Sequence, residues 1–287
     1  MIFRTDLALE QREALSGTEA HGILTGERTV NGVRISTVTV RNQTGAAALK
    51  KPIGKYVTLE LPSMMTSAKA AEPLQALLCE TLLSMLPKTG CILVAGLGNV
   101  QITPDALGPK CAALIFATRH ISGELSASLG LGTLRPVAAI APGVLGQTGV
   151  ETAELLCALT ARLSPAALIV IDALAARRLE RVGTTVQLTD SGIAPGSGVG
   201  NRRFEISRRT VGVPVIAVGV PTVVDAATMA GDLLTENETA PENARRMMVT
   251  PKEIDLLIEH AAQTVAMGIN RALQPTLSAE DLLLLIK

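Results

Sequence analysis

The sequence predicts an α/β fold, in which a mostly parallel sheet is covered by helices on both faces and an antiparallel hairpin lies near the N-terminus. The first observation is a set of short runs of Val, Ile, Leu and Ala that alternate with helical patterns. Continuous apolar runs of this kind are typical of parallel strands buried on both faces. The predicted strands of this type are 91–95, 136–141, 167–171 and 213–219.

The second observation is the polarity pattern in the N-terminal third of the chain. Residues 22–41 alternate between apolar and polar side chains around Asn31-Gly32, a strong signal for a two-residue hairpin turn. A further strand is predicted at 55–61 and a helix at 68–86. We expect the hairpin to be an antiparallel excursion from the parallel sheet.

The helices of the remaining chain are predicted from apolar spacing and from start signals. Thr148 and Glu151 match a capping box, which places a helix start beside them. The Thr250-Pro251 pair is a second start signal. The predicted helices are 105–117, 149–162, 222–234, 251–268 and 278–286.

Composition and length limit the class of protein. Of 287 residues, 47% are hydrophobic and only 1% are aromatic, so the core must be aliphatic, and one domain is predicted over residues 1–287. The 26 basic residues are balanced by 26 acidic ones, which removes a global reason to bind nucleic acid or a membrane surface. Apolar runs long enough to span a membrane are missing, and the N-terminus lacks the pattern of a secretory signal. A cytoplasmic location is therefore expected.

Two carboxylates stand out because of where they follow predicted strands. Asp172 comes directly after strand 167–171, and Asp105 follows the Gly-rich loop after strand 91–95. The carboxyl ends of parallel strands lie at one edge of a sheet, where ligands and chemistry collect, so we expect the two side chains to meet there. Two close carboxyl groups share a proton and can act as general acid and base. The alternative is that each Asp caps the segment after it.

Other motifs support weaker hypotheses. The Gly96-Leu97-Gly98 sequence lacks the third small residue of a dinucleotide fingerprint, because position 101 is Gln. A metal site is the main rival use of the two aspartates, with His120 as a third ligand; without a metal, His120 is a candidate for supporting the site. Asp190 begins an Asp-Ser-Gly triplet, for which we favour a turn or a supporting role over a catalytic one. Glu151 starts a helix that faces the same edge and is a further candidate for support.

Several blocks of the sequence carry a resemblance to a known family. Together, in order and over nearly the whole chain, they resemble the germination protease family of spore-forming Gram-positive bacteria. The blocks are 4–8, 96–110, 118–120, 135–154, 171–203, 212–226 and 249–262.

The resemblance implies a fold similar to that of hydrogenase-maturation endopeptidases and an atypical aspartic endopeptidase unrelated to pepsin. It implies a homotetrameric zymogen of the spore interior that degrades small acid-soluble spore proteins during germination, without a cofactor or metal. The two essential aspartates of the family carry over onto Asp105 and Asp172. A metal-dependent maturation-type peptidase that uses the same carboxylates, and a binding protein without activity, remain open alternatives.

The resemblance also implies self-processing after an acidic residue. The cut is expected between Asp6 and Leu7, which makes residues 1–6 a pro-segment. Recognition of an acidic side chain requires a cation, for which the planar guanidinium of Arg is well suited. Segment 177–209 contains a surplus of arginines, and we hypothesise that Arg177, which is nearest to Asp172 in sequence, binds the acidic substrate residue.

Overall fold

The computed structural model describes residues 4–15, 21–65, 71–196, 203–233, 243–244 and 247–286. Within these residues the strands form one mixed sheet in the order β1-β2-β3-β7-β8-β6-β4-β5, with β9 paired to β8. The strands are β1 (Ile23–Val30), β2 (Val33–Val40), β3 (Gly54–Glu60), β4 (Ile92–Gly96), β5 (Val137–Ile140), β6 (Ala167–Ala176), β7 (Thr185–Thr189), β8 (Val215–Asp225) and β9 (Met248–Val249).

One half of the sheet is parallel and the other is antiparallel. Strands β5, β4, β6 and β8 pair in parallel, whereas β1, β2, β3, β7 and β8 pair antiparallel in succession. The α/β class and the hairpin are confirmed; Asn31 and Gly32 adopt the positive φ angles of 51° and 79° that a tight hairpin turn requires. The antiparallel half is larger than expected because β7, which was not predicted, joins the hairpin to the parallel strands.

Helices cover the sheet on both sides. They are α1 (Ala8–Glu13), α2 (Gln43–Leu49), α3 (Glu72–Met85), α4 (Leu107–Ala113), α5 (Gly123–Ser128), α6 (Leu145–Thr148), α7 (Thr152–Leu163), α8 (Arg208–Val211), α9 (Ala226–Leu233), α10 (Ile254–Leu273) and α11 (Ala279–Leu285). Among the described residues, none of these helices is both long and apolar enough to cross a membrane.

The parallel strands alternate their side chains between two apolar cores. On one face, residues such as Ile169 and Val218 pack with Leu74 of α3 and Ile258 of α10. On the other face, the neighbouring strand residues pack with Leu156 of α7. Since both faces are covered, the strands consist of continuous apolar runs, which is the pattern that predicted them.

Two strands extend beyond their predicted ends, and this changes the position of the site. Strand β6 continues to Ala176 and β8 to Asp225, so 222–225 is strand and the helix predicted at 222–234 begins only at Ala226. The extensions pair with each other from Asp172↔Gly219 to Ala176↔Val224. The β-branched residues that precede Asp225 favour this extended conformation. Asp172 therefore lies within a strand rather than at its end.

The predicted capping box at Thr148 and Glu151 is wrong. Helix α6 ends at Thr148, whose hydroxyl donates to Val144 O and accepts from Val150 N, while Glu151 is itself the N-cap of α7 and makes no capping hydrogen bond. The glycine at 149, with φ of 70°, ends α6 in the left-handed conformation. The helix predicted at 105–117 is likewise a 3₁₀ turn followed by the shorter α4.

Candidate active site

Asp172 lies on β6, in the middle of the parallel half of the sheet. On one side, β4 ends opposite Ile171, so the sheet is open beside Asp172. On the other side, β8 places Gly219 directly opposite Asp172, and the Leu174 side chain packs over this glycine, since a Cβ on Gly219 would lie 2.5 Å from Leu174 Cγ. Asp172 is only 5% exposed, and its carboxylate accepts a hydrogen bond from Ala173 N at 3.0 Å. The end of β4 therefore leaves the sheet open on one side of this buried carboxyl group.

Asp105 is brought to the same place by the loop after β4. It ends a 3₁₀ turn that starts at Thr103, and its Oδ2 accepts a hydrogen bond from Asn99 N at 2.8 Å. The loop reaches this position because glycines allow close backbone contact: a Cβ on Gly108 would lie 2.1 Å from Leu97 O. The two glycines that suggested a nucleotide site serve the same packing, since a Cβ on Gly96 would lie 1.9 Å from Gly108 O and one on Gly98 would lie 2.1 Å from Asp105 O.

The two aspartates line one cavity of about 460 Å³. A second cavity of about 390 Å³ adjoins it, since Asp6, Asp172, Leu174 and Arg203 line both. The sequence-based expectation that Asp105 and Asp172 face a common site thus agrees with this geometry, although Asp172 projects from within a strand.

The surroundings raise the pKa of both carboxyl groups. Burial is the main cause at Asp172, whose pKa is raised well above its ordinary value, and the charges of Asp105 and Asp6 act in the same direction. Burial also raises the pKa of Asp105, but the hydrogen bond from Asn99 N opposes this shift. Asp172 is the more buried group and has two carboxylates near it, so the pair favours a proton on Asp172 and a charge on Asp105.

The segment before Leu7 is docked against this site. Arg4 contacts the Asp225 carboxylate at 3.3 Å, and Thr5 donates a short hydrogen bond to the buried Glu10. Asp6 N donates to Ala175 O at 2.8 Å, and Ala175 N donates to the Asp6 carboxylate at 2.9 Å. The bond between Asp6 and the fully buried Leu7 is therefore held beside the two cavities.

His120 does not share the site of the aspartates. It follows Thr118 and Arg119, whose backbone N–H groups donate to Val137 O at the first residue of β5. The aspartates lie at the opposite, carboxyl end of the parallel strands, and His120 lines neither cavity. The expectation of a supporting or metal-binding His120 is corrected, because the chain passes along the other edge of the sheet there. In the described part of the chain, no three His, Cys, Asp or Glu residues are arranged to hold a metal ion.

Of the remaining candidates Glu151, Asp190 and Arg177, only Glu151 lines one of the two cavities. Glu151 lines the larger cavity and contacts Arg203 at 3.7 Å. Asp190 is exposed, and its carboxylate accepts a hydrogen bond from Lys55 N at 2.7 Å, which ties the end of β7 to β3. Arg177 lines neither cavity in the described residues; its backbone N donates to Glu10. Arg203, from the same arginine-rich segment, lines both.

Comparison with known proteins identifies the family. A family model described as "Germination protease" matches residues 3–236. The chain belongs to the germination protease family. A germination protease of Caldanaerobacter subterraneus subsp. tengcongensis is 41% identical over 97% of this chain and 96% of its own length. That of Clostridium tetani is 40% identical over 98% of both chains, and that of Bacillus subtilis is 36% identical over 98% and 95%.

Membership of the germination protease family makes the chain a peptide hydrolase. Among solved structures, a NiFe hydrogenase maturation protease, HycI from Thermococcus kodakarensis KOD1, matches with a TM-score of 0.34 and 15% identity. The match covers 64% of this chain and 98% of that one.

Two site residues of this germination protease family member were missed by sequence reasoning. Lys51 and Gln187 both line the smaller cavity. Lys51 follows α2, and Gln187 lies on β7, two elements that were not predicted. A lone Lys after an apolar helix and a Gln within a strand carry no recognisable motif, so only the fold reveals them.

Replacing Gly98 with Ala is expected to impair the site. Gly98 has a φ of 111°, and a Cβ there would lie 2.1 Å from Asp105 O and 3.0 Å from its carboxylate. We expect a loss of about 1–3 kcal/mol in the free energy of unfolding, and displacement of Asp105 should reduce peptide cleavage by about 10²-fold. Chemical denaturation and a cleavage assay check this. Gly123→Ala is the control, because a Cβ there meets nothing within 4 Å; equal behaviour of the two variants would contradict the packing role of Gly98.

Proposed function

We propose that this chain is a spore-germination endopeptidase that degrades small acid-soluble spore proteins, cleaving after acidic residues with Asp105 and Asp172 as the acid–base pair. The single observation that carries this proposal is the convergence of the two carboxyl groups, both with raised pKa, on one cavity. Perturbed carboxyl groups in a cavity are the expected machinery of acid–base hydrolysis.

In this mechanism the two groups have different tasks. Asp105, which is charged and hydrogen-bonded by Asn99 N, takes a proton from the attacking water. Asp172, which carries the shared proton, gives it to the departing amine. The more buried position of Asp172 supports this assignment, because burial favours the neutral acid.

The same site supports self-processing. We propose residues 1–6 as a pro-segment that is cut from Leu7 onwards. Asp6 supplies the acidic residue before the scissile bond, and both its backbone and carboxylate are bound by Ala175 of β6. While Asp6 remains seated, it forms part of the wall of both cavities that a substrate would enter, so the uncut chain should be the less active form.

The substrates, location and assembly that we propose for this chain are those of its family. Small acid-soluble spore proteins are the proposed substrates, and the cytoplasm of the forespore and spore is the proposed location. Extended, unstructured substrates suit a site at the edge of parallel strands. We also propose self-association as a homotetramer. Among the described residues, the exposed outer strand β1 pairs on one side only, and its other edge is compatible with such contacts.

A cleavage assay tests the proposal. The purified chain is expected to convert itself to a form beginning at Leu7, as read by N-terminal sequencing, and then to cut a small acid-soluble spore protein after acidic residues. Asp105→Asn is expected to abolish both reactions. Asp190→Asn, which retains an acceptor for Lys55 N, is the matched control and should retain both.

Three outcomes of this assay would contradict the proposal. Cleavage by Asp105→Asn at the wild-type rate would show that Asp105 is not part of an acid–base pair. Loss of activity with a chelator, restored by a divalent ion, would favour the metal-dependent alternative instead. The absence of proteolysis under all conditions would favour a binding protein on the same fold.

A further inference from the structure

Two side-chain donors converge on one backbone oxygen at the proposed cleavage point. Lys51 Nζ donates to Asp6 O at 2.7 Å, and Gln187 Nε2 donates to the same oxygen at 3.2 Å. The other end of the Gln187 amide accepts a hydrogen bond from Ala8 N at 2.7 Å. Gln187 thus spans Leu7 and binds the backbone on both sides of it. The oxygen that receives the two donors belongs to the carbonyl of the Asp6–Leu7 peptide bond.

Local structure holds both donors in place. Helix α2 ends at Leu49, its C-cap Lys50 takes the left-handed conformation with φ of 54°, and Lys51 N then donates to Ala46 O at 3.3 Å. Gln187 is only 6% exposed and lies on β7 between β3 and β8, opposite Gly219. Asp172 lies opposite the same glycine from the other side of β8. The sheet therefore places Gln187 two strands away from Asp172.

Four of the groups that a cleavage step needs line one cavity, and Asp105 lines the cavity that adjoins it. Lys51, Gln187, Asp6 and Asp172 line the cavity of about 390 Å³. We propose that Lys51, assisted by Gln187, is a catalytic residue that binds and polarises the carbonyl oxygen of the peptide bond to be cut. This inference rests on the proposed function, and it adds to the two aspartates an electrophilic group for which neither composition nor motif gave a signal.

The step balances without any further reactant. Water attacks the Asp6 carbonyl carbon and loses one proton to the Asp105 carboxylate, while the C=O electron pair moves to the oxygen bound by Lys51 and Gln187. The C–N bond then breaks, and the Leu7 nitrogen takes a proton from Asp172. The products are a new carboxylic acid at Asp6 and a new amine at Leu7. A cation beside the developing oxyanion is the kind of preorganised group that lowers such a barrier most.

A purely anchoring role predicts different behaviour. If Lys51 only held the pro-segment in place, its loss would release the segment and open the cavity. Cleavage of a separate peptide would then be as fast as in the wild type or faster. If Lys51 stabilises the oxyanion, cleavage slows for every substrate, and the loss appears in kcat rather than in KM.

The test uses the full chain and a synthetic peptide with the sequence of residues 2–11. For Lys51→Met we expect self-processing and kcat on the peptide both to fall by about 10²–10³-fold, with little change in KM. Lys51→Arg keeps the positive charge and should recover part of the rate. Lys55→Met, at an exposed lysine on β3, is the matched control and should behave as the wild type. Equal thermal unfolding of the variants shows that folding is not the cause.

The outcomes separate this inference from the proposed function. Undiminished peptide cleavage by Lys51→Met, or a loss confined to KM, overturns the role of Lys51. If that occurs while Asp172→Asn is inactive, the two-aspartate mechanism stands without Lys51. Wild-type activity of Asp172→Asn would instead overturn the proposed function.

Discussion

The Asp172→Asn variant is expected to lose about 10²–10⁴-fold in kcat and, at neutral pH, to unfold at a higher temperature than the wild type. Activity falls because the amide cannot give a proton to the leaving amine. Stability rises because Asn removes a carboxyl group that is costly to keep buried. The hydrogen bond from Ala173 N survives, since the Asn side-chain oxygen can accept it. Loss of function with a gain in stability distinguishes a strained functional residue from a structural one.

The stability difference should depend on pH in a defined direction. Because burial and the neighbouring carboxylates raise the pKa of Asp172, the folded state binds more protons than the unfolded state above the ordinary carboxyl pKa. The wild type therefore loses stability as the pH rises from that value through the raised pKa, and Asp172→Asn lacks this loss. Thermal unfolding across this pH range should show the advantage of the variant growing with pH.

The control for Asp172→Asn is Asp190→Asn, which makes the same chemical change at an exposed carboxylate. We expect wild-type activity and a stability change within about 0.5 kcal/mol for this control. Destabilisation of Asp172→Asn at neutral pH would contradict the account, because it would mean that the Asp172 carboxylate is favourably bound in the folded protein.

The Arg181→Met variant is expected to lose about 3–5 kcal/mol in the free energy of unfolding. Arg181 has a side chain that is 5% exposed, and it contacts Glu10 at 3.3 Å, Glu13 at 2.5 Å and Glu60 at 2.9 Å. Replacement by an apolar side chain of similar length removes the cation that these three carboxylates share, and Glu10 is fully buried. Chemical denaturation measures the loss.

This network matters for function because two of its acids, Glu10 and Glu13, lie on α1, directly after the proposed scissile bond. The matched control is Arg178→Met, since Arg178 pairs with Glu13 and Glu180 at the surface and should contribute less than about 1 kcal/mol. Equal effects of the two substitutions would contradict the buried role of Arg181.

The loss in the free energy of unfolding caused by Arg181→Met should become smaller at low pH. Burial raises the pKa of Glu13, but the hydrogen bond and charge of Arg181 outweigh this effect and lower the pKa below its ordinary value. A carboxyl group whose pKa is lowered on folding contributes its full stabilisation above the pKa that it has in the unfolded state. This stabilisation is lost as the pH falls through the pKa of the folded state. The two proteins should therefore converge in stability below the ordinary carboxyl range.

Much of the parallel half of the molecule could be predicted from the sequence. Continuous runs such as 91–95 cannot be half-exposed strands, so both the strands and their covering helices follow from them. The meeting of Asp105 and Asp172 also follows, because parallel strands present their carboxyl ends at one edge. The hairpin follows from Asn31 and Gly32, whose positive φ angles few other residues adopt easily.

The strands and site residues that local pattern does not predict depend on pairing between segments distant in sequence. Residues 172–176 and 220–225 are strand because each segment supplies the partner of the other, a long-range condition that local pattern does not contain. Strand β7 is short and pairs with two elements distant in sequence. Because β7 was not predicted, Gln187 was not recognised as a site residue. The position of His120 depends on where the chain turns before β5. The residues missed are those whose partners lie far away in sequence.

Selective ¹³C labelling of the aspartate carboxyl groups, followed by an NMR pH titration of the full chain, tests the central claim most directly. The account predicts that one aspartate stays protonated at neutral pH and that its signal is absent in Asp172→Asn. The signal of Asp105 should also shift when Asp172 titrates, because the two groups are coupled. The account is contradicted if every aspartate is ionised at neutral pH, or if the protonated signal persists in Asp172→Asn.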